Sequence, residues 1–326
     1  MKQADYKYQH QIEGKEYIIG NCNKLHIFEI ANIERMAFKT RYYSVPCFLC
    51  LHLLLFLICY TQCTAASAIL TINVKNEGAR GDGKTNDHEI FVKISNRVNA
   101  RGGNCKIVIP AGTYIIGKQA FFGNEVKGSY KGEDCFFFQQ VRNVEILSIG
   151  KVKFKYAQNL KFGSFSPITK QKATVKQPFF DRKHVATIGC FLRISECSGI
   201  SISNVDADGN NTQIDYGGYW GDVGRQCLHV GIFVQNSDNI KVAAVRMHHF
   251  GLDGLELLST NTTPGNITIT NSQFDYNLRN GCSWIGGKGV IMRNCKFNMN
   301  GLGANASNPR AGLDIEPEVA ECENGL

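Results

Sequence analysis

Two carboxylates in this sequence stand where a pair of proton-transferring groups could work together. Leu255-x-Leu257 and Leu313-x-Ile315 are short alternating stretches, each preceded by a glycine, as Gly281 precedes Cys282-x-Trp284. Such alternation marks a strand with one face buried, so the residue between each apolar pair points outward. Aligned on the repeat, the outward residues are Arg193, Phe233, Glu256, Ser283 and Asp314. If each copy is one strand of a stack spaced ~4.8 Å apart, the backbones of Glu256 and Asp314 lie about 9.6 Å apart on one face, and leaning side chains could bring the carboxyls closer. Inverting hydrolysis of a glycosidic bond uses an acid and a base ~6.5–9.5 Å apart, with a water between them. Asp253, Glu316 and Glu318 flank the pair. Crowded carboxylates raise one another's pKa, as a general acid at neutral pH requires. Glu256 and Asp314 are therefore the candidate acid/base pair, with Asp253 as an auxiliary carboxylate. A solvated acidic face, or carboxylates that satisfy turns, is the competing explanation.

Other groups could serve such a site. Arg279 and Arg310 each stand two residues before a glycine of the repeat, where they could hold a uronate or neutralise the acids. Tyr216, Tyr219 and Trp220 alternate with glycines between Thr212 and Val230. Tyr219 and Trp220 are the expected substrate contacts there, stacking on sugar rings; packing against the body of the protein is the alternative. His248-His249 could supply an acid or base near neutral pH, or simply belong to a turn. Asp206-Ala207-Asp208-Gly209-Asn210 reads as a turn. It is the one place where calcium enters; otherwise no metal or cofactor is expected.

The elements that must position these groups show themselves as a repeat. Leu192-x-Ile194 then Ile200-x-Ile202 has the same internal offset as Ile232-x-Val234 then Ile240-x-Val242. The offset recurs in Phe136-x-Phe138 with Val144-x-Ile146, and in Cys282-x-Trp284 with Val290-x-Met292. A third apolar pair follows in several copies, and no helical period lies between them. Three short strands recurring every roughly 20–27 residues describe a parallel β-helix, in which each coil buries its face by stacking on its neighbours. Asn204, Asn271 and Asn294 share one register position, as an asparagine ladder at a turn would. The stretches Tyr156–Gly189 and Thr212–Val230 exceed what a coil needs and are expected to project as loops.

Residues 1–68 read differently. Phe48 to Tyr60 is an apolar run behind Lys39 and Arg41 and ahead of Ala66-Ser67-Ala68. A basic flank, an apolar stretch and an A-x-A site describe a secretory signal peptide. Met36 offers an alternative start, and an uncleaved anchor would be the only route to a membrane. Export makes disulfides an option for Cys105, Cys135, Cys190, Cys197, Cys227, Cys282, Cys295 and Cys322, an even number. The sequons at Asn210, Asn261, Asn266 and Asn305 allow N-glycans. The net charge of +8 favours an acidic partner. No concentrated basic run points to nucleic acid.

Ile72-Asn73-Val74-Lys75-Asn76-Glu77-Gly78-Ala79-Arg80-Gly81-Asp82-Gly83-Lys84-Thr85-Asn86-Asp87 resembles the opening of pectate-lyase-like superfamily domains, which polygalacturonases, rhamnogalacturonases and many phage tailspikes share. Gly102 to Tyr114 resembles that family's first coil. The resemblance implies an all-β fold, a right-handed parallel β-helix over residues 69–326, with a short helix capping its N-terminal end. Asn86 is the expected N-cap of that helix, with Glu89 closing a capping box. The same stretch, Gly78 to Thr85, satisfies the phosphate-binding string G-x-x-x-x-G-K-[ST]. The family match explains the same glycines, so no nucleotide is expected. Phe250-Gly251-Leu252-Asp253-Gly254-Leu255-Glu256 is similar in spacing to the YGFDPHE stretch of mannuronan epimerases, with Phe250 in place of the tyrosine and Leu255 in place of the histidine. No adjacent aspartate pair, Gly-His-Gly or Arg-x-Lys of the polygalacturonase kind is present.

These readings lead to one expectation: a secreted carbohydrate-active enzyme on an acidic polysaccharide, with hydrolysis ahead of elimination or epimerisation. A non-catalytic glycan-binding or cell-surface β-helix is the alternative. The chain is also expected to be a fragment, since no capping element follows Leu313-x-Ile315.

Overall fold

The computed structural model describes residues 68–123, 128–173, 186–218, 226–260 and 265–316. The signal-peptide segment, Tyr219, Trp220, Asn261, Glu318 and Cys322 lie outside them.

The repeated offset becomes a stack of coils. Phe136–Gln139, Leu192–Ser195, Ile232–Gln235, Leu255–Leu258, Cys282–Ile285 and Leu313–Ile315 lie side by side, all parallel, as a six-stranded sheet in chain order. The second strands form a longer sheet that runs from Gly103–Ile116 and Arg142–Tyr156 through Ser198–Ser203, Ile240–Ala243 and Ile267–Thr270 to Val290–Arg293. Third strands at Asp206–Asp208, Arg246–His248 and Gln273–Asp275 join it through Arg142–Tyr156, which is long enough to serve both rows. The result is a right-handed parallel β-helix.

Alternation explains why the coils hold together. Leu192, Ile232, Leu255 and Cys282 stack as one inward column, and Ile194, Val234, Leu257 and Trp284 as a second, all buried. Each such side chain contributes about 1.5–3 kcal/mol by leaving water. No coil could obtain this alone, because its inward face is covered only by its neighbours.

The expected asparagine ladder is real but interrupted. Asn204, Asn271 and Asn294 sit in left-handed turns at φ 59°, 52° and 53°, and the Asn294 amide donates to Asn271 Oδ1 at 2.7 Å. The step between Asn204 and Asn271 belongs to Ala244, whose φ is 52°.

Helix α1, His88–Arg101, lies against the N-terminal coil as expected, burying Phe91, Ile94 and Val98. Phe91 packs on the rings of Tyr114, Phe136 and Phe154. Its cap differs from the sequence reading. Asp87 occupies the N-cap, Asn86 Oδ1 accepts from the His88 amide at 3.0 Å, and Glu89 pairs with Lys118 instead of closing a box. The Asp87 carboxylate turns away to accept the amides of Arg80 and Gly81, both at 2.8 Å. Asp82 takes the amides of Lys84 and Thr85. The donors that a phosphate loop would offer are thus given to two carboxylates of the same loop.

Three further expectations change. Asp206-Ala207-Asp208 is a strand, and the chain turns only from Gly209. The disulfide expectation is not met among the described residues: Cys105, Cys135, Cys190, Cys197, Cys227, Cys282 and Cys295 carry free thiols. Most of them fill inward positions, where a thiol packs as a small apolar group. The sequon at Asn210 is closed by the fold, since Asn210 is buried and donates to the Tyr156 carbonyl at 3.0 Å. The two long insertions meet in a small parallel sheet, Lys161–Gly163 with Asp215–Gly217. Among the described residues no helix is long and apolar enough to cross a membrane.

Candidate functional site

The outward column inferred from spacing is the column observed. Phe137, Arg193, Phe233, Glu256, Ser283 and Asp314 are consecutive register partners across the six-stranded sheet. Glu256 and Asp314 are therefore two coils apart, with Ser283 between. At ~4.8 Å per coil their backbones are about 9.6 Å apart.

Beside this column a buried network ties the coils together. Asp253 lies just before the Leu255–Leu258 strand and is wholly buried. Its Oδ1 accepts from Arg279 Nε at 2.8 Å and from the Asn280 amide at 3.0 Å. Its Oδ2 accepts from Arg279 Nη2 and from Ser283 Oγ, the latter at 2.7 Å. Asn280, also fully buried, donates to Ser283 Oγ at 2.9 Å and to Asp314 Oδ2 at 3.0 Å. Its own oxygen accepts the Ala311 amide at 2.8 Å. A continuous path of hydrogen bonds thus runs from Arg279 through Asp253, Ser283 and Asn280 to Asp314.

Charge in this cluster is unevenly shared. Burial, the largest influence, pushes the Glu256 carboxyl up to about 7. Arg279 pulls it down, while Asp253 adds to the rise. The Arg279 guanidinium stands 3.9 Å from Glu256 Oε2 but is already committed to Asp253. Burial opposes the charge on Arg279, yet the Asp253 carboxylate more than offsets it and holds the guanidinium protonated. Glu316 is also raised to about 7, by partial burial and by its hydrogen bond with Asp314. The site therefore holds carboxyls that titrate near neutrality beside a carboxylate locked in an ion pair.

The sequence-derived residues divide accordingly. Glu256, Asp314, Asp253 and Arg279 come together. Arg279 neutralises Asp253 and is largely buried, so it is a brace and not a free substrate contact. Arg310 follows the repeat in register but bonds the Ala306 carbonyl at 3.4 Å. Tyr219 and Trp220 fall outside the described residues. His248 ends a third-row strand of the other sheet, and His249 follows it. Sequence spacing did not single out Asn280 or the Asp134–Arg193 pair. Asn280 had a signal, its place just before Gly281 of the repeat. Asp134 had none, because its bonds to Arg193 and to the Cys190 amide join separate coils. Arg193 in turn lies over the Phe233 ring at 4.7 Å.

A sequence profile described as rhamnogalacturonase A/epimerase, pectate lyase-like, matches residues 71–305. The chain belongs to this family. It is a carbohydrate-active family of pectate-lyase-like β-helices. No curated protein matches the chain significantly. Among solved structures, the A-module of a mannuronan C-5 epimerase from Azotobacter vinelandii aligns with a TM-score of 0.40 at 16% identity, over 70% of this chain and 57% of that one. A tailspike from an Acinetobacter baumannii bacteriophage, a capsular polysaccharide depolymerase, gives 0.39 at 16% identity, over 77% of this chain and 38% of that one. An exopolygalacturonase from Thermotoga maritima gives 0.33 at 11% identity, over 69% and 66%. The chain spans 57% of the epimerase module's length.

Proposed function

We propose that this member of the rhamnogalacturonase A/epimerase family is a secreted enzyme that hydrolyses an acidic polysaccharide along the open face of its six-stranded sheet. The observation that carries the reading is the Glu256 carboxyl, raised to about 7 and two coils from Asp314 on one face. A carboxyl in that range is protonated often enough at neutral pH to donate to a leaving glycosidic oxygen. Asp314, with Glu316 at hand to share the proton, would activate the attacking water. With backbones ~9.6 Å apart, side chains leaning toward one another would bring the carboxyls into the ~6.5–9.5 Å of an inverting reaction, which leaves room for that water. Asp253 and Arg279 hold the geometry and exchange no proton. Tyr219 and Trp220 would supply a stacking platform for sugar rings.

Elimination and epimerisation fit less well. Both remove a proton from carbon and return or discard it. Phe250, where the epimerase-like stretch would carry a tyrosine, has no proton to exchange and is buried. Leu255, at the histidine position, points into the core. Secretion rests on the leader motif, and the acidic nature of the polymer on net charge alone.

The experiment is to incubate the secreted protein with a panel of neutral and acidic polysaccharides, following reducing ends and the absorbance of unsaturated uronates. Reducing ends without absorbance are expected. Absorbance would replace hydrolysis by elimination, and binding without either product would favour a glycan-binding role.

A further inference from the structure

The third row of strands brings together a group that the carboxylate face does not use. Asp208 ends one strand, and its register partner His248 ends the next. His249 follows in the left-handed conformation, at φ 56°, which turns its ring back toward that of His248. His248 Nδ1 and His249 Nδ1 are 2.6 Å apart, and each is 3.9 Å from Asp208 Oδ1. We propose that Asp208, His248 and His249 form a binding site for one divalent transition-metal ion of the zinc type, clipping two successive coils together.

The geometry suits such an ion. The three donor atoms lie within 4.8 Å of one another, and a spread of the two Nδ1 atoms from 2.6 Å to the ~3.3 Å that tetrahedral bonds of ~2.0–2.1 Å require would let one ion reach all three. His248 Nε2 is 2.8 Å from Asp206 Oδ1, so the ring proton belongs on Nε2 and the Nδ1 lone pair faces His249. A carboxylate behind a ligating imidazole is the usual outer support of a metal-bound histidine, fixing its tautomer and raising its basicity. Without an ion, the short contact between the two Nδ1 atoms requires a proton on His249 Nδ1. An ion would displace that proton and leave His249 to carry its hydrogen on Nε2.

The groups around the three ligands restrain them without blocking them. The His249 ring stacks on Tyr276, 5.1 Å between centroids and 5° from parallel. Asp208 Oδ1 also accepts the Asn210 amide at 3.0 Å, and Lys153 approaches Oδ2 at 3.3 Å. Arg246 faces Asp275 at 3.6 Å, and Asp275 O accepts the His249 amide. His248 is buried, whereas His249 is partly exposed, so the open side of the site faces solvent. Two imidazoles and one carboxylate suit zinc, cobalt, nickel or copper. Calcium takes six to eight oxygens, which this donor set does not offer.

The test is titration of the chelator-treated full chain with Co²⁺, followed by visible absorbance, with Zn²⁺ as competitor and no substrate present. One Co²⁺ per chain, displaced by one Zn²⁺, is expected. His249→Asn keeps a residue that tolerates the left-handed turn and should weaken binding at least tenfold. Asp206→Asn, which touches no ion, should weaken it ~10–100-fold. Melting of each variant without metal separates lost binding from lost folding, and Asp208→Asn replaces any variant that fails to fold. Absence of stoichiometric uptake, or uptake that both substitutions leave unchanged, overturns the proposal.

Discussion

Arg279 reaches across from one coil to Asp253 of the coil before, Nε to Oδ1 at 2.8 Å, with the acid entirely buried. Removing one partner of such a pair strands the other charge in a medium that solvates it poorly. Asp253→Ala should therefore lower unfolding free energy by about 3–5 kcal/mol, read by urea denaturation. A change below about 1 kcal/mol, typical of an exposed pair, would show that the brace does not exist.

Glu256→Gln and Asp314→Asn keep the shape of each side chain and remove the transferable proton. On a substrate found by the polysaccharide panel, each should cut turnover by ~10²–10⁴-fold. Melting temperature should stay near that of the parent. Full activity in both variants would remove the pair from the mechanism.

The raised pKa of Glu256 has a signed consequence for stability. Its folded value of about 7 lies above the ordinary carboxyl range, so the folded state holds the proton more tightly than the unfolded chain. Its contribution is complete below the unfolded pKa and is lost as pH rises from about 4.5 to about 7. Glu316 acts in the same window and direction. Melting temperature should thus fall across this interval in the parent and fall less in Glu256→Gln. Identical slopes would contradict the assignment.

The free thiols predict a labelling pattern. Burial raises the pKa of Cys135, Cys190, Cys227 and Cys282, which keeps them as unreactive thiols. Alkylation of native protein, then unfolding without reductant and a second label, should place the second label on these four. Cys295, only partly buried, should take the first. Cysteines that take neither label would be in disulfides.

Ala244 interrupts the asparagine column while holding a left-handed backbone at φ 52°. A Cβ in that conformation costs roughly 1–2 kcal/mol, and asparagine tolerates it better than alanine. The side chain is exposed. Ala244→Asn should raise stability by about 0.5–1 kcal/mol in a urea melt. Destabilisation would mean that the ladder gains nothing from an amide at that step.

The repeat was legible because a β-helix writes its tertiary contacts into local order. The offset between Ile232-x-Val234 and Ile240-x-Val242 recurs since each coil must present the same apolar column to its neighbour. That regularity places Glu256, Ser283 and Asp314 in one outward file. Register sets backbone position, however, and not what an outward side chain will touch. Only the folded chain decided that Arg279 turns inward onto Asp253 while Arg310, its register equivalent, bonds a carbonyl of its own turn. Only the folded chain closed Asp87 over the loop amides and kept the cysteines as packing groups. The same holds for Asp208, His248 and His249, which meet through one left-handed residue. Periodicity cannot see such contacts, because they depend on side-chain rotamers and on how deeply each group is withdrawn from water.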